Sequence, residues 1–107
     1  MKKKLKSSGN GWELYFAKPL LKLLRYNPVD INVLITAKND CLTVEPIAKD
    51  ESAKYADAMV RSFQKSGRNG YGLYFPSSLI EYLEIEPDED FLDINIDENI
   101  IYIRKAN

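Results

Sequence analysis

Lys6 and Asn10 stand around one glycine-bearing turn, and Lys65, Arg68 and Asn69 stand around another. Lysine and arginine neutralise phosphate charge, while serine, asparagine and turn amides add hydrogen bonds to phosphate oxygens. The two sets belong to one phrase said twice. KSSGNGWELYF at residues 6–16 and KSGRNGYGLYF at residues 65–75 are identical at seven of eleven positions at a constant offset of 59. At that offset Lys6 matches Lys65 and Asn10 matches Asn69, a repetition that favours a shared binding role. Lys2, Lys3 and Lys4 extend the first set, although such a run also serves simply to solubilise an N-terminus.

Other chemistries have little to work with. The chain has no histidine and one cysteine, Cys41, so it offers no Cys/His metal site, internal disulfide or histidine triad. It has no phosphate-binding loop or nucleophile motif, and no two carboxylates are fixed at a shared site. No catalytic residue, metal or cofactor is expected, and Cys41 reads as filler of a small apolar site. The stretch from Glu81 to Glu98 holds nine acids and no base. It lacks the spaced ligands and central glycine of a calcium loop. It reads either as a solvated face or as a contact surface for a basic partner, with Glu86, Asp88 and Glu89 as the contact candidates. Trp12, Tyr15, Tyr71 and Tyr74 could stack on unpaired bases, but strand alternation sends at least half of the aromatic pairs into the core.

The elements that must position these residues follow from the same repeat. With the offset held from Lys6 to Pro46, 11 of 41 pairs are identical. Each copy predicts a polar first strand (Lys3 to Lys6; Val60 to Lys65), a turn (Ser8 to Gly11; Gly67 to Gly70) and a β-prone strand (Trp12 to Phe16; Tyr71 to Phe75). A short helix follows. In the first copy Pro19 opens it, with Leu20, Leu21 and Leu24 on one face; in the second, Ser78 and Glu81 have capping-box spacing. Pro28 and Pro87 end these helices. A hairpin closes each copy, with Ile31, Val33 and Ile35, then Leu92, Ile94 and Ile96, facing inward.

Such a half exposes sheet edges and buries too little to stand alone. Two halves, 1–47 and 59–107, are expected to form one β-barrel, with 48–58 as a helical or flexible connector. Charge divides between them: residues 1–47 carry eight bases and four acids, for +4, and residues 61–107 carry five and nine, for −4. Their opposite charges either attract within one fold or provide one basic and one acidic surface. No apolar run nears the roughly 20 residues that span a bilayer, and Met1-Lys2-Lys3-Lys4 precedes no signal-like apolar stretch. A cytoplasmic location, with no membrane partner, is the expectation.

The stretch KSGRNGYGLYFPSSLIEYLEIEPDEDFLDINIDENIIYI, Lys65 to Ile103, resembles the swapped-hairpin family of AbrB, SpoVT and MazE. The resemblance implies a mainly β fold in which two tandem ββαββ units interleave as a pseudo-dimer within one chain. It implies double-stranded DNA as partner, a role as transcriptional regulator or autoregulatory antitoxin, a toxin protein as possible second partner, and possible homodimers. Carried over by position, the DNA-binding residues are Lys4, Lys6, Ser7 and Asn10 in the first copy, and Arg61, Lys65, Arg68 and Asn69 in the second. The chain departs from the pattern at Tyr15 and Tyr74, where the family often has an arginine, and at Ala17, where it has the helix-opening proline. Four residues follow Ile103 in this sequence, so toxin neutralisation through the family's long acidic tail is not expected. The alternative function is an interaction module that grips a basic protein through its acidic half.

Overall fold

A computed structural model describes residues 1–55 and 59–106 of the chain, so the last three residues of the expected connector, 56–58, lie outside the described residues. The protein is mainly β; the described residues form ten strands in two antiparallel sheets and two short α-helices. The first half contributes β1 (Lys2–Lys3), β2 (Lys6–Ser8), β3 (Gly11–Ala17), α1 (Lys18–Leu23), β4 (Ile31–Lys38) and β5 (Cys41–Ala48). The second contributes β6 (Met59–Ser62), β7 (Gln64–Ser66), β8 (Gly70–Phe75), α2 (Ser77–Leu83), β9 (Leu92–Asp97) and β10 (Ile100–Lys105). One sheet runs β1-β9-β10-β5-β4-β6 and the other β2-β3-β8-β7.

Each polar first strand is broken by one apolar residue. Leu5 and Phe63 are both buried, and sinking them into the core turns the chain from the six-stranded sheet into the four-stranded one. The ladders stop at those bends. The structure therefore has two separate sheets, with β1 and β6 as edges of one and β2 and β7 as edges of the other, and not the closed barrel expected from the repeat. Strand pairing nevertheless crosses between the halves. β1 pairs with β9, β6 with β4, β3 with β8, and β5 with β10.

The core lies between the sheets. Leu14, Phe16, Leu73 and Phe75 enter it from the four-stranded sheet, and Val33, Leu42, Val44, Leu92, Ile94, Ile101 and Ile103 from the other. Alternation along each strand accounts for most of this, because successive side chains point to opposite faces. Ile96 is an exception to the expected inward set: it lies one step from the end of β9, at the hairpin tip, and is 39% exposed. Ile31 is only partly buried.

The helices are held by packing, since six or seven residues cannot sustain a helix in water. Leu21 and Leu24 anchor the first, and Leu79, Ile80 and Leu83 the second. They end at left-handed residues, Arg25 (φ 60) and Glu84 (φ 54), before Pro28 and Pro87 are reached. The expected capping box does not form. Pro76 occupies the N-cap of α2 and Ser77 begins the helix, so Ser78 lies inside it and makes no cap bond. Residues Lys49–Tyr55 of the connector form a 3₁₀ turn against β4, β5 and β6. Asn32 fixes it there, donating to Ser52 Oγ at 2.8 Å while its own Oδ1 accepts from Ser62.

Candidate nucleic-acid interface

The two glycine turns differ by one residue. Ser8 pairs with Gly11 across Gly9–Asn10, and Gly9 (φ 57) takes the first central position of the two-residue turn, which a II′ turn gives to glycine. Ser66 pairs with Gly70 across three residues, Gly67 (φ 66), Arg68 and Asn69. The extra residue slips the register of the preceding strand: Lys6 lies opposite Glu13, whereas Lys65 lies opposite Tyr71. A one-residue slip reverses the face of every side chain. Lys6 therefore projects from the outer face with Glu13, and Lys65 from the face on which Tyr71 packs against the core. The equivalences in space are Leu5 with Phe63, Ser7 with Lys65 and Ser8 with Ser66. Lys6 and Lys65 are not counterparts. The signal was present in the sequence, where SGNG aligns with SGRNG once one insertion is allowed.

The β7–β8 turn brings three cationic side chains, Lys18, Lys65 and Arg68, to one end of the sheet. It docks on the start of α1 through the Lys18 amide, which donates to the Asn69 carbonyl at 2.9 Å. Lys65 Nζ donates to the Arg68 carbonyl at 3.4 Å and stands 5.2 Å from the Tyr71 ring centroid, within cation–π range. The adjacent Lys18 side chain, followed by desolvation, holds the Lys65 ammonium below its ordinary pKa of 10.5. Lys18, Lys65 and Arg68 are exposed, and among the described residues none has a carboxylate at salt-bridge distance. Lys18 was missed in the sequence because it follows the repeated phrase and its counterpart is Ser77.

The other predicted residues are dispersed. Asn10 and Lys6 are exposed near the opposite end of the sheet, because β3 and β8 run antiparallel and pair Ala17 with Gly70. From Gly11 to Ala17 is roughly 20 Å at the usual rise per residue. Ser7 is exposed and lies opposite Trp12. Lys4 is occupied within the fold, donating to the Asp88 carbonyl at 3.0 Å and lying 5.2 Å from the Phe91 ring centroid. Arg61 is partly buried opposite Val33, with its Nε buried and unpartnered and Nη1 3.5 Å from the Val60 carbonyl. Neither Lys4 nor Arg61 joins the cluster at the β7–β8 turn.

Between the two turns the outer face carries Tyr15 over Gly70 and Tyr74 over Gly11, so close that a methyl group on either glycine would overlap the ring. Glu13 covers Gly72 in the same way and accepts a hydrogen bond from Ser66 Oγ at 2.8 Å. Trp12, one of the aromatics considered for base stacking, packs against the core. Cys41 is buried.

On the acidic side, Glu86, Asp88 and Glu89 are exposed, and the backbone around them is tied down. Glu86 N donates to Asp90 Oδ2 at 2.7 Å, and Lys105 Nζ lies 3.7 Å from the same carboxylate oxygen. Lys4 reaches this loop from the basic half, and the N-terminal ammonium lies 3.8 Å from Asp93. Part of the charge difference between the halves is thus used internally. Tyr26 donates to the carbonyl of Asn99, joining α1 to the far hairpin, and burial followed by the Glu45 charge pushes its phenol pKa upward.

Among the described residues there is no cluster of three or more potential metal ligands, and no helix is long and apolar enough to cross a membrane. Searches against family models, curated proteins and solved structures find no match to the chain.

Proposed function

We propose that this protein binds double-stranded DNA as a regulator of the AbrB/MazE kind, approaching the duplex with the end of the four-stranded sheet where the β7–β8 turn meets α1. The observation that carries the reading is the convergence there of Lys18, Lys65 and Arg68, exposed and without carboxylate partners among the described residues. Close cations that repel one another gain from a polyanion, which releases counterions as it binds. Asn69 adds a side-chain donor at the same turn. The opposite turn, with Lys6, Ser7 and Asn10, supplies a second and weaker contact. The separation of roughly 20 Å between the turns exceeds the major-groove width of about 12 Å, so the two can flank a groove. The exchange of first strands between halves supports the interleaved pseudo-dimer reading of the fold.

Salt titration tests this. Lys65→Ala, Arg68→Ala and Lys18→Ala should each weaken binding to every duplex sequence and flatten the log-affinity against log-salt slope by about 0.9. Lys49→Ala and Lys54→Ala, which remove the same charge from the connector, should leave the slope unchanged. Equal effects from turn and connector variants would reduce the interaction to diffuse electrostatics and remove the site.

A second reading rests on the acidic loop, where exposed Glu86, Asp88 and Glu89 precede Phe91, itself 48% exposed. A basic protein, such as the toxin of a toxin–antitoxin pair, would meet both charge and an apolar anchor there. This reading replaces the first if the protein binds no duplex even at low salt.

A further inference from the structure

Beside the basic turn, α1 and the segment after it leave an open cleft of about 680 Å³ against β8. That volume falls in the usual range for small-molecule sites, roughly 300–1,000 Å³. Leu21, Tyr26, Pro28 and Tyr71 form an apolar wall, and Lys18 and Lys22 line the same space. The lysines are four residues apart on α1, so their side chains leave the helix on one side. Lys65 adds a third amine above Tyr71. The Tyr26 hydroxyl is already committed to Asn99, which leaves its ring as a hydrophobic surface.

We propose that this cleft binds a small aromatic anion, a flat ring bearing one phosphate or carboxylate group. The ring lies against Tyr71 and the apolar wall, and the anionic group is held by Lys18 and Lys22 with Lys65 at the rim. Two features select this class over a bare anion or a neutral apolar molecule. Among the described residues no carboxylate neutralises these three lysines, so the site has positive charge to satisfy. The lining is nevertheless mainly apolar, and phosphate alone would leave it solvated. The Lys65 pKa is lowered chiefly by Lys18, which places these two amines close together. Lys18 and Lys65 also belong to the proposed DNA contact, but phenyl phosphate binding is read without nucleic acid, so either proposal can fail while the other holds.

Phenyl phosphate titrated into the ¹⁵N-labelled full chain is the probe. Saturable amide shifts should concentrate at Lys18, Leu21, Lys22 and Tyr71, with Kd on the order of 1 mM, equivalent to about −4 kcal/mol. Inorganic phosphate and benzyl alcohol, each carrying half of the chemistry, should bind at least about tenfold more weakly, a difference of about 1.4 kcal/mol. Lys18→Gln with Lys22→Gln should weaken phenyl phosphate by a similar factor while the amide spectrum stays dispersed; Lys49→Gln with Lys54→Gln should change nothing. The proposal is overturned if phenyl phosphate gives no saturable shifts in the cleft, or if inorganic phosphate or benzyl alcohol matches it. It is equally overturned if the folded double variant at Lys18 and Lys22 binds as tightly as the wild type.

Discussion

Residues 1–47 and 59–107, produced as separate chains, should each fail to fold as a monomer, and mixing them in equal amounts should restore a cooperative structure. Of the eight strand pairings among the described residues, four cross between the halves: β1 with β9, β6 with β4, β3 with β8 and β5 with β10. Cutting the chain leaves each half only two hairpins and one short helix. Isolated two-stranded hairpins are marginal in water at best, and a helix this short does not persist alone. The core would also be divided, since Phe16 and Leu14 of one half pack in one cluster with Leu73 and Phe75 of the other. Amide dispersion and sedimentation at low micromolar concentration would decide it. A dispersed spectrum from either half at monomeric mass would contradict the interdependence.

Phe16→Ala should destabilise the intact protein by about 3–5 kcal/mol, the range for emptying a buried phenylalanine site. Phe16 is fully buried, with its ring edge-on to Phe63 at 5.8 Å between centroids. Phe63 in turn stands 6.2 Å from Tyr26. The loss would therefore reach the bend at which the second half's first strand changes sheets. Because a domain of this size has roughly 5–15 kcal/mol in total, the variant should melt lower by on the order of 15–25 °C or be partly unfolded. Leu23→Ala is the contrast: Leu23 is 83% exposed on α1, and its loss should fall within about 0.5 kcal/mol of neutral. Comparable destabilisation by the two would mean that Phe16 is not where the halves are locked together.

Much of the fold is legible in the sequence, for reasons that differ by element. The repeat gives the sequence of elements along the chain, and the alternation at Val33, Ile35, Leu92 and Ile94 gives the inward face, because one buried face forces a period of two. The sheet switches are subtler. Their mark is one buried apolar residue between polar neighbours, Leu5 between Lys4 and Lys6 or Phe63 between Ser62 and Gln64, and a single residue has no period to detect. The helix ends were unreadable because the left-handed position is filled by Arg25 and Glu84, neither of which is the glycine or asparagine that usually signals it. At the candidate interface, a constant offset conceals the inserted turn residue. That insertion puts Lys6 and Lys65 on opposite faces, so a site expected twice by symmetry becomes one basic end. Lys18 joins that end through tertiary docking of the turn on α1, which sequence spacing alone does not encode.

The most direct measurement is an amide shift map of the ¹⁵N-labelled full chain against a short mixed-sequence duplex at low salt. The largest changes should fall at residues 64–70 and 17–22, with smaller ones at 6–11, and should fade as salt is raised. Changes centred instead on the acidic loop at 86–91, spread evenly over the surface, or absent altogether would contradict it.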